Sequence, residues 1–120
     1  MARHNIIGKD GEAFAVQYLM QKGHEILACN YRYLKAEIDI VSKHNNTIIF
    51  VEVKTRSSSK FGLPEESVTA KKQQLISNAA SNFMEENGLS GEIRFDVISL
   101  SKTKTGYDVF YIEDAFFPLG

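Results

Sequence analysis

Charged side chains interrupt the end of the most apolar stretch of this sequence. Glu52 and Lys54 follow the run Ile48–Val51, which is typical of a strand buried on both faces. Because alternate residues of a strand point to opposite faces, Glu52 and Lys54 share one face, whereas Val51 and Val53 take the other. Charge in such a strand is costly unless it is paired or bound to a metal. The pattern therefore indicates either an ion pair on the sheet surface or a catalytic site.

A second acidic pattern lies just before this strand. Glu37 and Asp39 are predicted to share a face, with the isoleucines on either side of Asp39 on the opposite face. If the turn at 44–46 pairs the two strands antiparallel, Asp39 lies near Glu52, since neighbouring strands are about 4.8 Å apart. Carboxylates at that separation repel, so either one is protonated or both bind a cation. Oxygen ligands without sulfur favour Mg²⁺ or Mn²⁺ over zinc.

Glu12 supplies a third carboxylate. It lies on the same helical stripe as apolar residues three, four and seven positions later, and a metal held by Asp39 and Glu52 would give it a partner. Such a metal lowers the pKa of a bound water and polarises a phosphate, while Lys54 could orient the water or stabilise the developing charge. Two other interpretations stay open: an exposed strand face for Glu37 and Asp39, and the edge of the helical stripe for Glu12.

Helices and strands must bring these residues together. The first helix is predicted from Asp10 to Lys22, although its start could lie nearer Asn5. The second helix has Thr69 as its N-cap and ends at Gly88. The predicted strands are Glu25–Tyr33, Glu37–Lys43, Thr47–Thr55, Glu92–Leu100 and Tyr107–Glu113. This order predicts an α/β fold with a mixed β-sheet of about five strands flanked by helices, the second helix being a crossover connection.

Composition limits the class of protein. The chain has 120 residues, of which 43% are hydrophobic, so we expect a single domain, 1–120, with its own core. Cys29 is the only cysteine, which excludes an intrachain disulfide and a thiolate zinc site. The formal charge of −1 is unusual for a nucleic-acid-binding protein, but two bound divalent cations would bring it to roughly +3. With neither a transmembrane-length apolar run nor a secretory signal, we expect a cytoplasmic protein without a membrane partner.

Four segments give the sequence a family resemblance. These segments are Gly11–Ala13, Glu37–Val41, Phe50–Arg56 and Arg94–Val97. They resemble the YraN family, also called UPF0102, which looks like a branch of the PD-(D/E)XK nuclease superfamily close to archaeal Holliday junction resolvases. The resemblance implies a restriction-endonuclease-like core, a nuclease-like domain, and Mg²⁺- or Mn²⁺-dependent endonuclease hydrolysis of phosphodiester bonds in DNA, including branched or structured DNA. It also implies a homodimer, since junction resolvases act as dimers.

The resemblance assigns roles by motif position. The implied catalytic residues are Glu12, Asp39, Glu52 and Lys54. The implied metal-binding residues are Asp39, Glu52, Glu12 and Val53. Glu37 is an additional candidate on the same strand as Asp39. The chain departs from the family pattern at Ala36, where the family usually has glycine, and at Lys71–Lys72, where the family has Lys-Gln.

Basic residues follow the proposed site along the chain. Arg56, Lys60, Lys71 and Lys72 could contact the phosphates of DNA, or they could belong to a solvated loop and helix end. The two lysines at the start of the second helix oppose its dipole, which favours a functional reason for their presence. Two other functions stay open beside the DNA endonuclease: a non-catalytic nucleic-acid-binding or scaffold module that retains the fold, and an enzyme acting on RNA.

Other reactive residues carry weaker patterns. Cys29 has no matched histidine and is interpreted as a packed strand residue. Asp96 alternates with Phe95 and Val97, which favours a structural hydrogen-bonding role over a place in the site. The apolar tail 115–119 is expected either to pack on its own domain or to form a partner contact.

Overall fold

Five strands form one mixed sheet in the computed structural model, which describes residues 3–56 and 69–116. The elements in chain order are α1 (Arg3–Gln21), β1 (Glu25–Tyr33), β2 (Ala36–His44), β3 (Thr47–Arg56), α2 (Ala70–Glu86), β4 (Glu92–Lys102) and β5 (Tyr107–Ile112). The strands lie in sequence order across the sheet. Only the β3–β4 pair is parallel among these strands; the other pairs are antiparallel. The predicted α/β fold with a five-stranded mixed sheet is confirmed.

The two helices cover opposite faces of the sheet. Ala15 and Leu19 of α1 pack with a core cluster formed by alternate residues of the central strands: Ile40, Ile49, Val51, Ile98 and Leu100. The buried side of α2 packs on the other face with a second cluster, which includes Ile38, Val41, Ile48, Phe50, Phe95 and Val97. β3 contributes to both clusters, which explains its nearly continuous apolar sequence.

Short local signals set the ends of these elements. Asn45 and Asn46 have φ angles of 50° and 68° and form the two-residue turn between β2 and β3, where asparagine tolerates the left-handed conformation. Gly23, with φ of 92°, follows α1. Thr69 caps α2 by accepting a hydrogen bond of 3.1 Å from the backbone N–H of Lys72. The predicted turn, caps and crossover are confirmed, and α1 has the earlier of its two expected starts.

The pairing of β2 with β3 ends before β3 does. The last β2–β3 pair, at the end away from the turn, joins Ile40 to Val51. The parallel β3–β4 pairing continues to Arg56. Ile38 packs on the α2 side and Ile40 on the α1 side, so the expectation that both isoleucines share one face was wrong. Side-chain alternation along β2 breaks at Asp39, because there the strand leaves its regular pairing with β3.

Asp96 of β4 joins that strand to β5 and to the segment that follows β5. Its side chain is fully buried and accepts hydrogen bonds from Arg94 Nε and Nη2 at 2.8 and 2.9 Å. The hydroxyl of Tyr111 and the backbone N–H of Asp114 donate to the same carboxylate. The structural role expected of Asp96 is thus confirmed. The described part of the tail packs on its own domain, since the rings of Phe116 and Phe95 stack at 5.3 Å.

Candidate functional site

The second half of β3 carries a buried carboxylate between two lysines. Glu52 has a side chain only 9% exposed, and its Oε1 lies 3.4 Å from Lys54 Nζ and 2.6 Å from Lys72 Nζ. Lys72 comes from the first turn of α2, so this group lies on the α2 side of the sheet. Val51 and Val53 pack on the α1 side, as the alternation of β3 predicts. Glu52 and Lys54 therefore share a face and touch.

Asp39 lies where the β2–β3 ladder ends. Its Oδ2 accepts a hydrogen bond of 2.7 Å from the backbone N–H of Val53, so a side-chain oxygen satisfies a donor that a strand carbonyl would otherwise take. Glu52, the residue after the last paired position of β3, is close enough for its charge to act on Asp39.

The environment of Asp39 disfavours its negative charge. Burial raises the pKa of Asp39 first, and the charge of Glu52 raises it further; the hydrogen bond from Val53 opposes both effects, and Glu12 and Glu37 add smaller upward contributions. The result is a pKa of about 7 against an ordinary value of 3.8. The negative charge around Asp39 is therefore not balanced by Lys72, which also interacts with it. This unbalanced negative charge is the electrostatic feature that a bound cation would correct.

Glu12 approaches this site from α1 because the helix passes unusually close to β3. A Cβ atom on Gly11 would lie 2.2 Å from Thr55 Oγ1, so any larger residue would force the Thr55 side chain or the helix to shift. Glu12 and Asp39 then line one cavity of about 230 Å³ on the α1 side, together with Asn30 and apolar side chains. The close packing of the helix at Gly11 thus places the next residue, Glu12, near Asp39.

The two lysines respond differently to their shared carboxylate. Burial lowers the pKa of Lys54, and its contact with Lys72 lowers it further, while Glu52 opposes the change. Burial also lowers the pKa of Lys72, but its hydrogen bond and charge interaction with Glu52 outweigh that effect and raise the pKa above its ordinary value. Lys72 is therefore the principal counter-ion of Glu52, and Lys54 is the cation less firmly held in its charged form.

The remaining candidates lie at the margin of this group. Glu37 points to a salt bridge with Arg32 at 3.0 Å, between two exposed side chains. Arg56 is partly buried at the end of β3, and Lys71 is exposed. Lys60 lies outside the described residues. Lys71 therefore faces solvent, whereas its neighbour Lys72 contacts Glu52.

The contact between Lys72 and Glu52 went unrecognised in the sequence, where Lys72 was expected to meet phosphates. A signal for its position was nevertheless present. Lys72 precedes Ile76 by four residues and Ala79 by seven, and both are buried on the sheet-facing stripe of α2. A lysine on that stripe, one residue away from an exposed lysine, is directed toward the sheet.

The donor set suits a hard divalent cation held by few protein ligands. Among residues 3–56 and 69–116, no three histidine, cysteine, aspartate or glutamate side chains are grouped closely enough to form a metal centre alone. Mg²⁺ differs from structural zinc in this respect, because it keeps several waters and takes one or two carboxylates plus substrate phosphates. Asp39 and Glu52, whose charges interact, are the carboxylates that could hold such a cation.

The fold and site together define a mixed α/β protein with a buried carboxylate and lysine group beside the end of a strand ladder. A sequence model described as "Uncharacterised protein family UPF0102" matches residues 11–100. A UPF0102 protein from Christiangramia forsetii is 50% identical over 117 residues, covering 98% of each chain. Another from Alkaliphilus oremlandii is 45% identical over 113 residues, covering 92% of this chain and 97% of the relative. The chain belongs to the UPF0102 family, as its resemblance predicted.

No helix in the described parts of the chain is long and apolar enough to cross a membrane.

Proposed function

We propose that this protein is a metal-dependent endonuclease that hydrolyses phosphodiester bonds in DNA, with branched or otherwise structured DNA as the substrate class. The observation that carries the proposal is that Asp39 accepts a hydrogen bond from Val53 N–H and interacts with the charge of Glu52, the partner of Lys54, where the β2–β3 ladder ends. The order of these residues along the strands also supports the resemblance to PD-(D/E)XK nucleases.

Each residue has a role that follows from its position. Asp39 and Glu52 would hold the cation; the resemblance adds Glu12 and Val53, of which Glu12 lines a cavity with Asp39. The bound Mg²⁺ or Mn²⁺ would supply Lewis-acid stabilisation of the phosphate and acidify a water. Lys54 lies within 3.4 Å of Glu52 and can orient the attacking water or stabilise the charge that develops on the phosphate. Its lowered pKa, caused mainly by burial, makes it better able to exchange a proton with that water.

Contacts with the rest of the substrate would come from residues around this centre. Lys71 and Arg56 are the described candidates for phosphate contacts, and Lys60 is a candidate on sequence grounds. Affinity spread over several such cations should be salt-dependent. The homodimer, the single domain and the cytoplasmic location stay predictions from the sequence.

A panel of labelled substrates tests the proposal. Branched, flapped, duplex and single-stranded DNA, with matching RNA, should be incubated with the protein in Mg²⁺, Mn²⁺ or EDTA. We expect cleavage of structured DNA that depends on the metal. Cleavage of RNA alone would replace DNA with RNA as the substrate, and no cleavage of any substrate would favour the scaffold function.

Lys54→Ala separates catalysis from binding. Losing stabilisation of the transition state commonly costs about 100-fold or more in rate, whereas losing one of several cations should weaken DNA binding only modestly. Lys43→Ala removes an exposed lysine of β2 and serves as the control, with cleavage expected to stay within about twofold of the wild-type rate. Undiminished cleavage by Lys54→Ala would remove this lysine from the mechanism.

A further inference from the structure

Lys72 forms an ion pair with Glu52, the carboxylate that the proposed metal would need as a ligand. Its ammonium group lies 2.6 Å from Glu52 Oε1, closer than the 3.4 Å from Lys54 Nζ to the same oxygen. Glu52 itself is buried, so a charge-assisted hydrogen bond here is only weakly screened by solvent. Any divalent cation that ligates Glu52 must therefore contend with an ammonium group already bound to it.

The position of Lys72 in α2 makes this contact a property of the fold. The helix is anchored to the sheet by Ile76, Ala79, Ala80 and Phe83, all of them buried. Its N-terminus is fixed by the Thr69 cap, which accepts the backbone N–H of Lys72 itself. The backbone of Lys72 is thus held in place, while its long side chain, 35% exposed, has room to turn away from Glu52.

We infer that Lys72 is an internal counter-ion that competes with the divalent cation for Glu52 and is displaced when the cation binds. Like charges on one buried carboxylate repel, and the doubly charged ion gains more from the two carboxylates than a single ammonium does. The displaced ammonium then lies beside the metal, where it can bind a substrate phosphate. The displacement by metal rests on the metal-binding part of the proposed function, and the contact with phosphate rests on its catalytic part.

The inference predicts an effect opposite to that of an ordinary site residue. Removing a metal-site residue usually weakens metal binding, whereas removing a competing cation strengthens it. We expect Lys72→Met to tighten Mn²⁺ binding about tenfold, the change that about 1.4 kcal/mol of lost competition would produce. Lys71→Met removes the same charge from the neighbouring exposed position and should leave the Mn²⁺ affinity within about twofold, since exposed charges are screened.

Isothermal titration of the purified protein with Mn²⁺, without nucleic acid, measures this directly. Tighter binding by Lys72→Met than by both wild type and Lys71→Met supports the competition, even if only the Lys72 variant binds measurably. Equal affinities for the two variants, or weaker binding by Lys72→Met, would overturn it while leaving the proposed nuclease intact. If neither wild type nor variant binds Mn²⁺ or Mg²⁺, both the competition and the metal-dependent function fail.

A second measurement on the wild-type protein covers the case in which Lys72→Met does not fold. Lysine side chains labelled with ¹³C at Cε report their ion pairs by NMR, and Lys72→Arg assigns the Lys72 signal while keeping its charge. Titration with Mg²⁺ should shift the Lys72 signal and leave that of Lys71 in place. A Lys72 signal that stays unchanged at saturating Mg²⁺ would show that the lysine is not displaced.

Discussion

Replacing Asp39 with asparagine should stabilise the protein in the presence of EDTA, by an amount that grows with pH. Asparagine keeps an oxygen that can accept the hydrogen bond from Val53 N–H, but it cannot become negative. In the wild type, burial and the neighbouring carboxylates, Glu52 first, raise the pKa of Asp39 from 3.8 to about 7. The substitution therefore removes an electrostatic cost with little change of shape.

The sign and size of the effect follow from the two pKa values. An acid whose pKa is higher in the folded state binds more protons when folded, so its contribution to stability is full below its unfolded pKa and is lost as the pH rises through the folded pKa. With 3.8 and about 7 as the limits, the variant should exceed the wild type by about 1 kcal/mol at pH 4.5 and by up to about 4 kcal/mol at pH 8.

Urea denaturation followed by circular dichroism at both pH values measures the difference. Glu37→Gln is the matched control, since it removes a carboxylate from the same strand at an exposed salt bridge and should change stability by less than about 1 kcal/mol at either pH. The reasoning would be refuted if the Asp39→Asn variant were less stable than wild type at pH 8. It would also be refuted if the difference in the free energy of unfolding were the same at both pH values. Adding Mg²⁺ at ten times its Kd should then stabilise the wild type by about 1.4 kcal/mol, and the variant by much less.

Three further substitutions test the supports of the site and the rest of the fold. Gly11→Ala should cost about 1–3 kcal/mol in a urea titration, because the new Cβ would lie 2.2 Å from Thr55 Oγ1; failure of Thr55→Ala to relieve that loss would contradict the clash. Asp96→Asn should destabilise the protein by about 3 kcal/mol or more, since it leaves the Arg94 guanidinium without its buried partner; a loss under about 1 kcal/mol would show that the network is dispensable. Burial, then His44 and Arg94, lower the pKa of His24 against the opposing charges of Asp96 and Glu113, so its contribution to stability is lost as the pH falls through the unfolded value. His24→Gln should therefore remove up to about 2 kcal/mol of the stability change between pH 7 and pH 5, and an unchanged pH profile would argue against a buried neutral imidazole.

Much of the fold could be predicted because its signals are local. The Asn45–Asn46 turn, the Thr69 cap and Gly23 each act through a few neighbouring backbone groups, and all three are visible in the sequence. The register of β2 against β3, up to the Ile40–Val51 pair, follows from that turn, because a two-residue connection leaves the antiparallel strands little freedom. The pairing that leads up to Asp39 and Glu52 was therefore predictable without knowledge of the tertiary structure.

The parts that were missed depend on packing between distant segments. Ile38 and Ile40 were expected on one face because regular strands alternate, but the alternation fails where Asp39 takes the place of a strand partner for Val53. The contact of Lys72 with Glu52 depends on how α2 crosses the sheet. The periodicity of the sequence shows that Lys72 is on the sheet-facing side of α2, but not which strand residue it meets. Gly11 likewise gave no sign that Thr55 would lie against it.

Two aspartates of the same sheet, Asp96 fully buried and Asp39 partly buried, show what distinguishes the candidate site from the core. Asp96 is surrounded by donors, with Arg94, the Tyr111 hydroxyl and the Asp114 N–H all directed at its oxygens. Asp39 accepts the Val53 N–H and faces Glu52, with Glu12 and Glu37 adding further negative charge. A carboxylate in the first environment stabilises the fold, whereas an ionised carboxylate in the second opposes folding unless a cation binds. A cation bound at Asp39 would remove this unfavourable electrostatic energy, and the gain would add to the affinity for the cation. This supports a role for Asp39 in binding.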